Sequence, residues 1–104
     1  KFFGEEQFRK MKPTAYFINT ARAGIVDTDA LIKALQEERI GGAALDVFDE
    51  EPLPADSPFR KLDNVTLVSH MGGTSADTMA CSVEIGYQDI ERYLKGEEML
   101  NVRN

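Results

Sequence analysis

Phe8 and Met11 are the apolar members of a short stretch from Glu5 to Met11, three apart, which predicts one amphipathic helical turn. Pro13 closes it, because proline has no backbone donor to continue a helix. Ala15-Tyr16-Phe17-Ile18 follows as an unbroken apolar run bounded by Pro13 and Asn19-Thr20, the pattern of a strand buried on both faces. Asp27 stands where an N-cap belongs, and from Thr28 to about Glu38 the residues Leu31, Ile32 and Leu35 share one helical face while Lys33, Gln36 and Glu37 turn away. Gly41-Gly42 breaks that helix. Ala43 to Phe48 is a second apolar run, and its one charge, Asp46, lies near the carboxyl end. Pro52, Pro54 and Pro58 among acidic residues make Asp49 to Asn64 a loop, with room for a helical turn near Phe59-Leu62. Val65 to Val68 reads as a third strand. Gly72-Gly73-Thr74-Ser75 then opens a long helix on which Ala76, Met79, Ala80, Val83, Tyr87, Ile90 and Leu94 keep helical spacing up to Lys95-Gly96.

Short strands alternating with helices imply right-handed crossovers and a parallel sheet, hence an α/β fold. Three strands are few for such a sheet, where about five or six are usual, so the pattern reads as part of a doubly wound sheet whose upstream strands are missing. The chain begins at Lys1 rather than at a methionine, which fits processing or a start partway through a longer chain.

Composition narrows the function classes. A chain of 104 residues holds one domain at most, and 12 Lys+Arg against 18 Asp+Glu give a net charge of −6. That balance argues against a nucleic-acid partner, since affinity for phosphate backbones comes from clustered Lys and Arg. No window approaches the roughly 20 apolar residues of a membrane helix, and the start lacks the features of a signal peptide. Cys81 is the single cysteine, so neither an internal disulfide nor a multi-cysteine metal site is expected, and no metal ligands are assigned. The long helix makes Cys81 a packing residue, and the cytoplasm is the expected location.

In open parallel sheets ligands bind beyond the carboxyl ends of the strands. Those ends carry Asn19-Thr20-Ala21-Arg22-Ala23-Gly24, then Asp46 and Glu51-Pro52, then Ser69-His70-Met71-Gly72-Gly73. Singly, each group has an ordinary alternative: a lone histidine is more often a surface or core residue, Glu51 can be a solvated loop acceptor, and Arg22 can pair with Asp27. Asp46 differs, because a carboxylate inside an apolar run is costly to bury unless something bonds to it. Together the groups have a chemical logic. Imidazole exchanges protons near neutral pH, a carboxylate beside it favours its charged form, and a guanidinium grips a carboxylate bidentately. That combination suits reduction of a 2-keto acid.

Met11-Lys12-Pro13 to Gly24, Gly42-Ala43-Ala44-Leu45-Asp46-Val47-Phe48 to Pro52, and Asn64-Val65 to Gly73, followed by Leu100-Asn101-Val102, resemble the signatures of the D-isomer-specific 2-hydroxyacid dehydrogenases, a family that includes phosphoglycerate dehydrogenase. The likeness covers nearly the whole chain. Two positions depart from the usual family pattern: Ala23 follows the arginine in place of Gly, and Ser69 precedes the histidine in place of Pro. The resemblance implies a Rossmann-type fold of which this chain is the second half of the NAD-binding domain, over 1–74, with a C-terminal helix and tail over 75–104 that returns toward an absent substrate domain. It implies catalytic roles for Arg22, Glu51 and His70. His70 is the acid/base, Glu51 keeps it protonated and Arg22 holds the substrate. It further implies that Thr20, Ala21, Arg22, Asp46, His70, Met71, Gly72 and Gly73 line the cofactor site, with Asp46 meeting the nicotinamide carboxamide. The implied cofactor is NAD, with NADP as the alternative, the implied partner a small 2-keto or 2-hydroxy acid, and the implied assembly a homo-oligomer. The chain lacks the G-x-G-x-x-G that binds the dinucleotide phosphates in this family, so by itself it is expected to turn over negligibly. Two other readings compete. One is a non-catalytic folding or interaction module joined to another subunit through its sheet edge. The other is a receiver-like signalling domain with Asp46 as phosphoacceptor, which lacks the upstream acidic pair needed for Mg²⁺.

Overall fold

The computed structural model describes residues 1–102, so the last two positions of the expected 75–104 tail lie outside the described residues. The chain divides into two compact units, one spanning Lys1–Met71 and one from Gly72 onward.

In the first unit α1 (Glu5–Lys10) precedes β1 (Tyr16–Asn19), α2 (Thr28–Gln36), β2 (Gly42–Leu45) and β3 (Val65–Leu67). Short 3-10 turns at Ala23–Ile25 and Pro58–Lys61 punctuate the connections; the second is the helical turn expected in the proline-rich loop. The strands form a three-stranded parallel sheet in the order β1-β2-β3. Register is continuous across it: Asn19 lies beside Leu45, and Leu45 beside Leu67. The three strands therefore finish level, and whatever follows them emerges along one edge. Asp27 caps α2 as expected, accepting from the Ala30 amide at 3.2 Å.

The core lies on one face of the sheet. Phe8, Leu31, Leu35, Ile40, Ala43 and Leu45 are buried together, and Phe17 packs against them from β1. The rings of Phe3, Phe8 and Phe17 meet at centroid distances of 4.8, 5.0 and 5.3 Å. Full burial of such a side chain, as at Phe8, which is 1% exposed, contributes about 1.5–3 kcal/mol. The other face corrects the sequence expectation for β1. Phe17 and Asn19 point inward, but Tyr16 and Ile18 remain 70% and 68% exposed, because within this unit helices cover only one side of the sheet. Gly42, expected with Gly41 to break the helix, follows the end of α2 and is also the first residue of β2. A Cβ there would lie 2.6 Å from the Asn64 carbonyl oxygen and 2.9 Å from the Tyr16 ring, so only glycine fits between its two neighbours. The chain turns before it by way of Glu38, which takes a left-handed φ of 49°. The second strand is also shorter than the apolar run, which leaves Asp46 just beyond its end.

The second unit is built on α3 (Ala76–Leu94). Ser75 caps it, its hydroxyl accepting from the Thr78 amide at 3.1 Å. Its other end closes on Gly96 at φ 73°, with the Gly96 and Glu97 amides donating to the Tyr93 and Arg92 carbonyls. Asp89 then holds the tail through the Leu100 and Asn101 amides, at 2.9 and 3.1 Å. No residue of α3 is buried, and Cys81 is an exposed free thiol rather than a packing residue. Among the described residues no helix is long and apolar enough to cross a membrane.

Candidate active site

The first unit brings most of the strand-end residues into two linked clusters. Asp46, immediately after β2, is only 5% exposed. Its amide donates to the Asn19 carbonyl at 3.0 Å, and its Oδ1 accepts from the Met71 amide at 2.7 Å. One buried residue thus ties the end of β1 to the segment beyond β3, which answers the cost of burying its carboxylate. Asn19 organises the adjoining turn. Also 5% exposed, it donates from Nδ2 to the Arg22 carbonyl at 3.1 Å and accepts from the Ala21 amide at 3.1 Å. Thr20, Ala21 and Arg22 stand exposed on the turn so formed. Arg22 Nη1 donates to the Ala21 carbonyl at 2.6 Å, so the guanidinium lies over its own turn rather than on Asp27, whose carboxylate is engaged in capping α2.

The second cluster is the pair Glu51 and His70. His70 Nδ1 lies 2.7 Å from Glu51 Oε2, and Oε1 of the same carboxylate accepts from the Phe48 amide at 2.9 Å. With both oxygens engaged, the carboxyl of Glu51 is held below its ordinary value of 4.5, first by the bond to His70 and then by the Phe48 amide. An ionised carboxylate on Nδ1 fixes the tautomer with the proton there and leaves Nε2 as the nitrogen that exchanges protons. The histidine sits at φ 54°, a left-handed conformation that side chains seldom adopt and that histidine tolerates better than most. Strained backbone of this kind persists where the surroundings hold it. Here the restraints are the Asp46–Met71 bond on one side and Glu51 on the other. The Glu51-Pro52 peptide is cis. Beside the pair opens a cavity of about 730 Å³ whose lining includes Phe48, Leu53, Arg60, Val68 and His70.

Among the described residues, neither hydrogen bond nor ion pair joins Arg22 to the Glu51–His70 pair. Gly72 and Gly73 belong to the second unit, where a Cβ on Gly73 would meet nothing within 4 Å. Two residues that shape the site had no role assigned from the sequence: Asn19, which stands among the strand-end residues, and Arg60, in the proline-rich loop. The described residues contain no group of three or more His, Cys, Asp or Glu able to hold a metal ion.

The family description "D-isomer specific 2-hydroxyacid dehydrogenase, NAD binding domain" matches residues 1–72. The chain belongs to this family. It is 50% identical over 93 residues to a glyoxylate reductase of Thermofilum pendens, an alignment covering 89% of this chain and 27% of that protein. Among solved structures it is similar to a D-isomer specific 2-hydroxyacid dehydrogenase of Xanthobacter autotrophicus Py2 in complex with NADPH and MES. That match has a TM-score of 0.88 and 35% identity, over 99% of this chain and 42% of that one. The NAD-complexed dehydrogenase of Lactobacillus delbrueckii ssp. bulgaricus gives a TM-score of 0.83 and 34% identity, over 99% of this chain and 35% of that one. The chain spans 27% and 30% of the length of the first two curated relatives it matches. These likenesses make the sheet part of a Rossmann-type NAD-binding domain and leave the receiver-like reading without support.

Proposed function

We propose that this chain supplies the proton-transfer machinery and the nicotinamide end of the cofactor site in an NAD(P)-dependent reductase of small 2-keto acids. The observation that carries the reading is the Glu51–His70 pair, 2.7 Å apart at the carboxyl edge of a parallel sheet. His70 donates from Nε2 to the carbonyl oxygen of the substrate, and in the reverse direction takes the proton back from the hydroxyl. Glu51, ionised across the neutral range, stabilises the imidazolium and orients the ring. Arg22 is assigned to the substrate carboxylate, for which its planar fork of donors is suited. The residues present fit a nicotinamide: Asp46 is a fixed, buried carboxylate beside the exposed Thr20–Ala21 turn, an acceptor suited to a carboxamide. When bound, the cofactor supplies the hydride that the carbonyl carbon receives. The parts assigned to Gly72 and Gly73, and the division at 74/75, rest on the family resemblance alone.

Glyoxylate is the first substrate to try, because the Thermofilum pendens relative is a glyoxylate reductase. Either NAD or NADP fits this reading, since the similar structures contain one or the other. A cytoplasmic setting agrees with the single exposed thiol, and a homo-oligomer with the exposed apolar residues of β1 and α3. The net charge of −6 speaks against a nucleic-acid partner.

The test is a chimera in which this chain replaces the matching segment of the Thermofilum pendens reductase. Reduction of glyoxylate is expected, with His70→Ala lowering kcat by about 10²–10⁴-fold. A folded chimera in which His70→Ala turns over like the parent would end this assignment.

A further inference from the structure

We propose that Arg60 is a positioning residue for the Glu51–His70 pair, acting through the loop that carries Glu51. The inference rests on the reading of that pair given above. Glu51 lies outside regular structure, between β2 and the 3-10 turn at Pro58–Lys61, and an exposed loop of this kind does not by itself hold a carboxylate at hydrogen-bond distance from a histidine. Arg60 supplies the missing restraint. From the 3-10 turn its Nε donates to the Pro54 carbonyl at 2.9 Å and its Nη2 to the Leu53 carbonyl at 2.8 Å. One planar guanidinium thereby grips two consecutive carbonyls, the nearer only two residues from Glu51. The turn is itself anchored, since Phe59 is 5% exposed and its ring packs on Phe48 at 6.4 Å. Phe48 in turn donates its amide to Glu51. The loop is clamped at both ends: Phe48 sits before Glu51, and the Leu53-Pro54 carbonyls follow it. A rigid fork fixes both distance and direction, which a single ammonium on a flexible stem does not.

The groups acting on the Glu51 carboxyl are His70 and the Phe48 amide, which lower its titration, and Asp46, which raises it. Arg60 bonds carbonyls rather than that carboxylate, so its removal reaches Glu51 either by displacement of the loop or by the field of the lost charge, and Arg60→Lys, which keeps the charge, separates the two. His70 is the only histidine in the chain, so its ring proton resonances form an isolated reporter whose acid-side inflection follows Glu51 ionisation.

The experiment is an NMR pH titration of those resonances in the 104-residue chain, comparing the parent with Glu51→Gln, Arg60→Ala and Arg60→Lys. Amide correlation spectra establish that each variant is folded. Glu51→Gln should abolish the inflection; if the inflection persists there, the pair reading itself fails and this inference falls with it. In Arg60→Ala the inflection should move at least halfway back toward 4.5 as the loop loosens, and Arg60→Lys should recover less than half of that shift. An unchanged inflection in folded Arg60→Ala overturns the proposal. So does full recovery in Arg60→Lys, which would mark a field effect of charge. Should Arg60→Ala unfold, Arg60→Lys decides alone: an inflection moved toward 4.5 from the parent's supports the proposal, and one at the parent's position overturns it.

Discussion

The turn after β1, with Asp46 beside it, and the Glu51–His70 pair lie on the same edge of the sheet and are built in opposite ways. At the first, Asn19 and Asp46 are almost completely buried, and their polar atoms bond mainly to backbone: the Arg22 carbonyl, the Ala21 amide and the Met71 amide. At the second, His70 and Glu51 keep side-chain exposures of 46% and 37% and bond to each other. Buried polar groups are expensive to leave unpaired, whereas a solvated ion pair adds little to stability. The division of labour follows. Asn19 and Asp46 hold the edge together, and Glu51 and His70 stay partly exposed, as the proton-transfer role proposed for them requires.

The sharpest way to break this contrast is Asn19→Ala, which leaves the Ala21 amide and the Arg22 carbonyl without their partner. It should cost about 1–3 kcal/mol in denaturant unfolding at pH 7. A loss too small to resolve would remove the structural half of the comparison. Next comes Asp46→Asn, which keeps an acceptor for Met71 but exchanges a charge-assisted bond for a neutral one. We expect about 1 kcal/mol, together with faster hydrogen exchange at the Met71 amide. Smallest is Glu51→Gln. Because the folded protein lowers the Glu51 carboxyl below 4.5, its stabilising contribution is present above that pH and disappears as pH falls through the folded value. The variant should therefore be slightly less stable than the parent at pH 7 and converge on it as pH falls through the folded value, below 4.5. Denaturant midpoints measured across that range would sharpen the contrast if the curves meet, and undo it if the gap widens in acid.

Much of this edge was legible because strand ends in a parallel sheet are fixed by hydrophobic runs. The runs at residues 15–18, 43–48 and 65–68 located the sheet, and polar groups directly after them had to emerge together. Asp46 stood out as a charge in an apolar stretch, and its burial and backbone partner agree with that logic. What escaped depends on tertiary context. Nothing in the run at 15–18 shows that Tyr16 and Ile18 face away from the core, since a strand covered by helices on one side and one covered on both present similar apolar residues. Asn19 looked like a strand terminator because its role consists of bonds to backbone only a few residues ahead, which asparagine makes in many ordinary turns. Arg60 was hidden more deeply. Its partners are carbonyls, which carry no sequence signal, and they lie six and seven residues away on a loop whose course the sequence leaves open. The long helix was read correctly from its spacing, yet Cys81 on it is exposed, because periodicity identifies an apolar stripe without showing what covers it.

The parallel pairing of the three strands also bears on how the first unit assembles. Parallel neighbours cannot be joined by a tight hairpin, so each pairing must wait for a long loop to close, a step that slows folding relative to local helix formation. Glu51 lies in the second such connection and His70 just beyond β3, and Asp46 meets Met71 across the same connection. While β3 is undocked, α1 and α2 can already be helical, and the chain can look largely structured by its helical signal. The imidazole and carboxylate are then still far apart, so the Glu51–His70 pair forms only once β3 has docked beside β2.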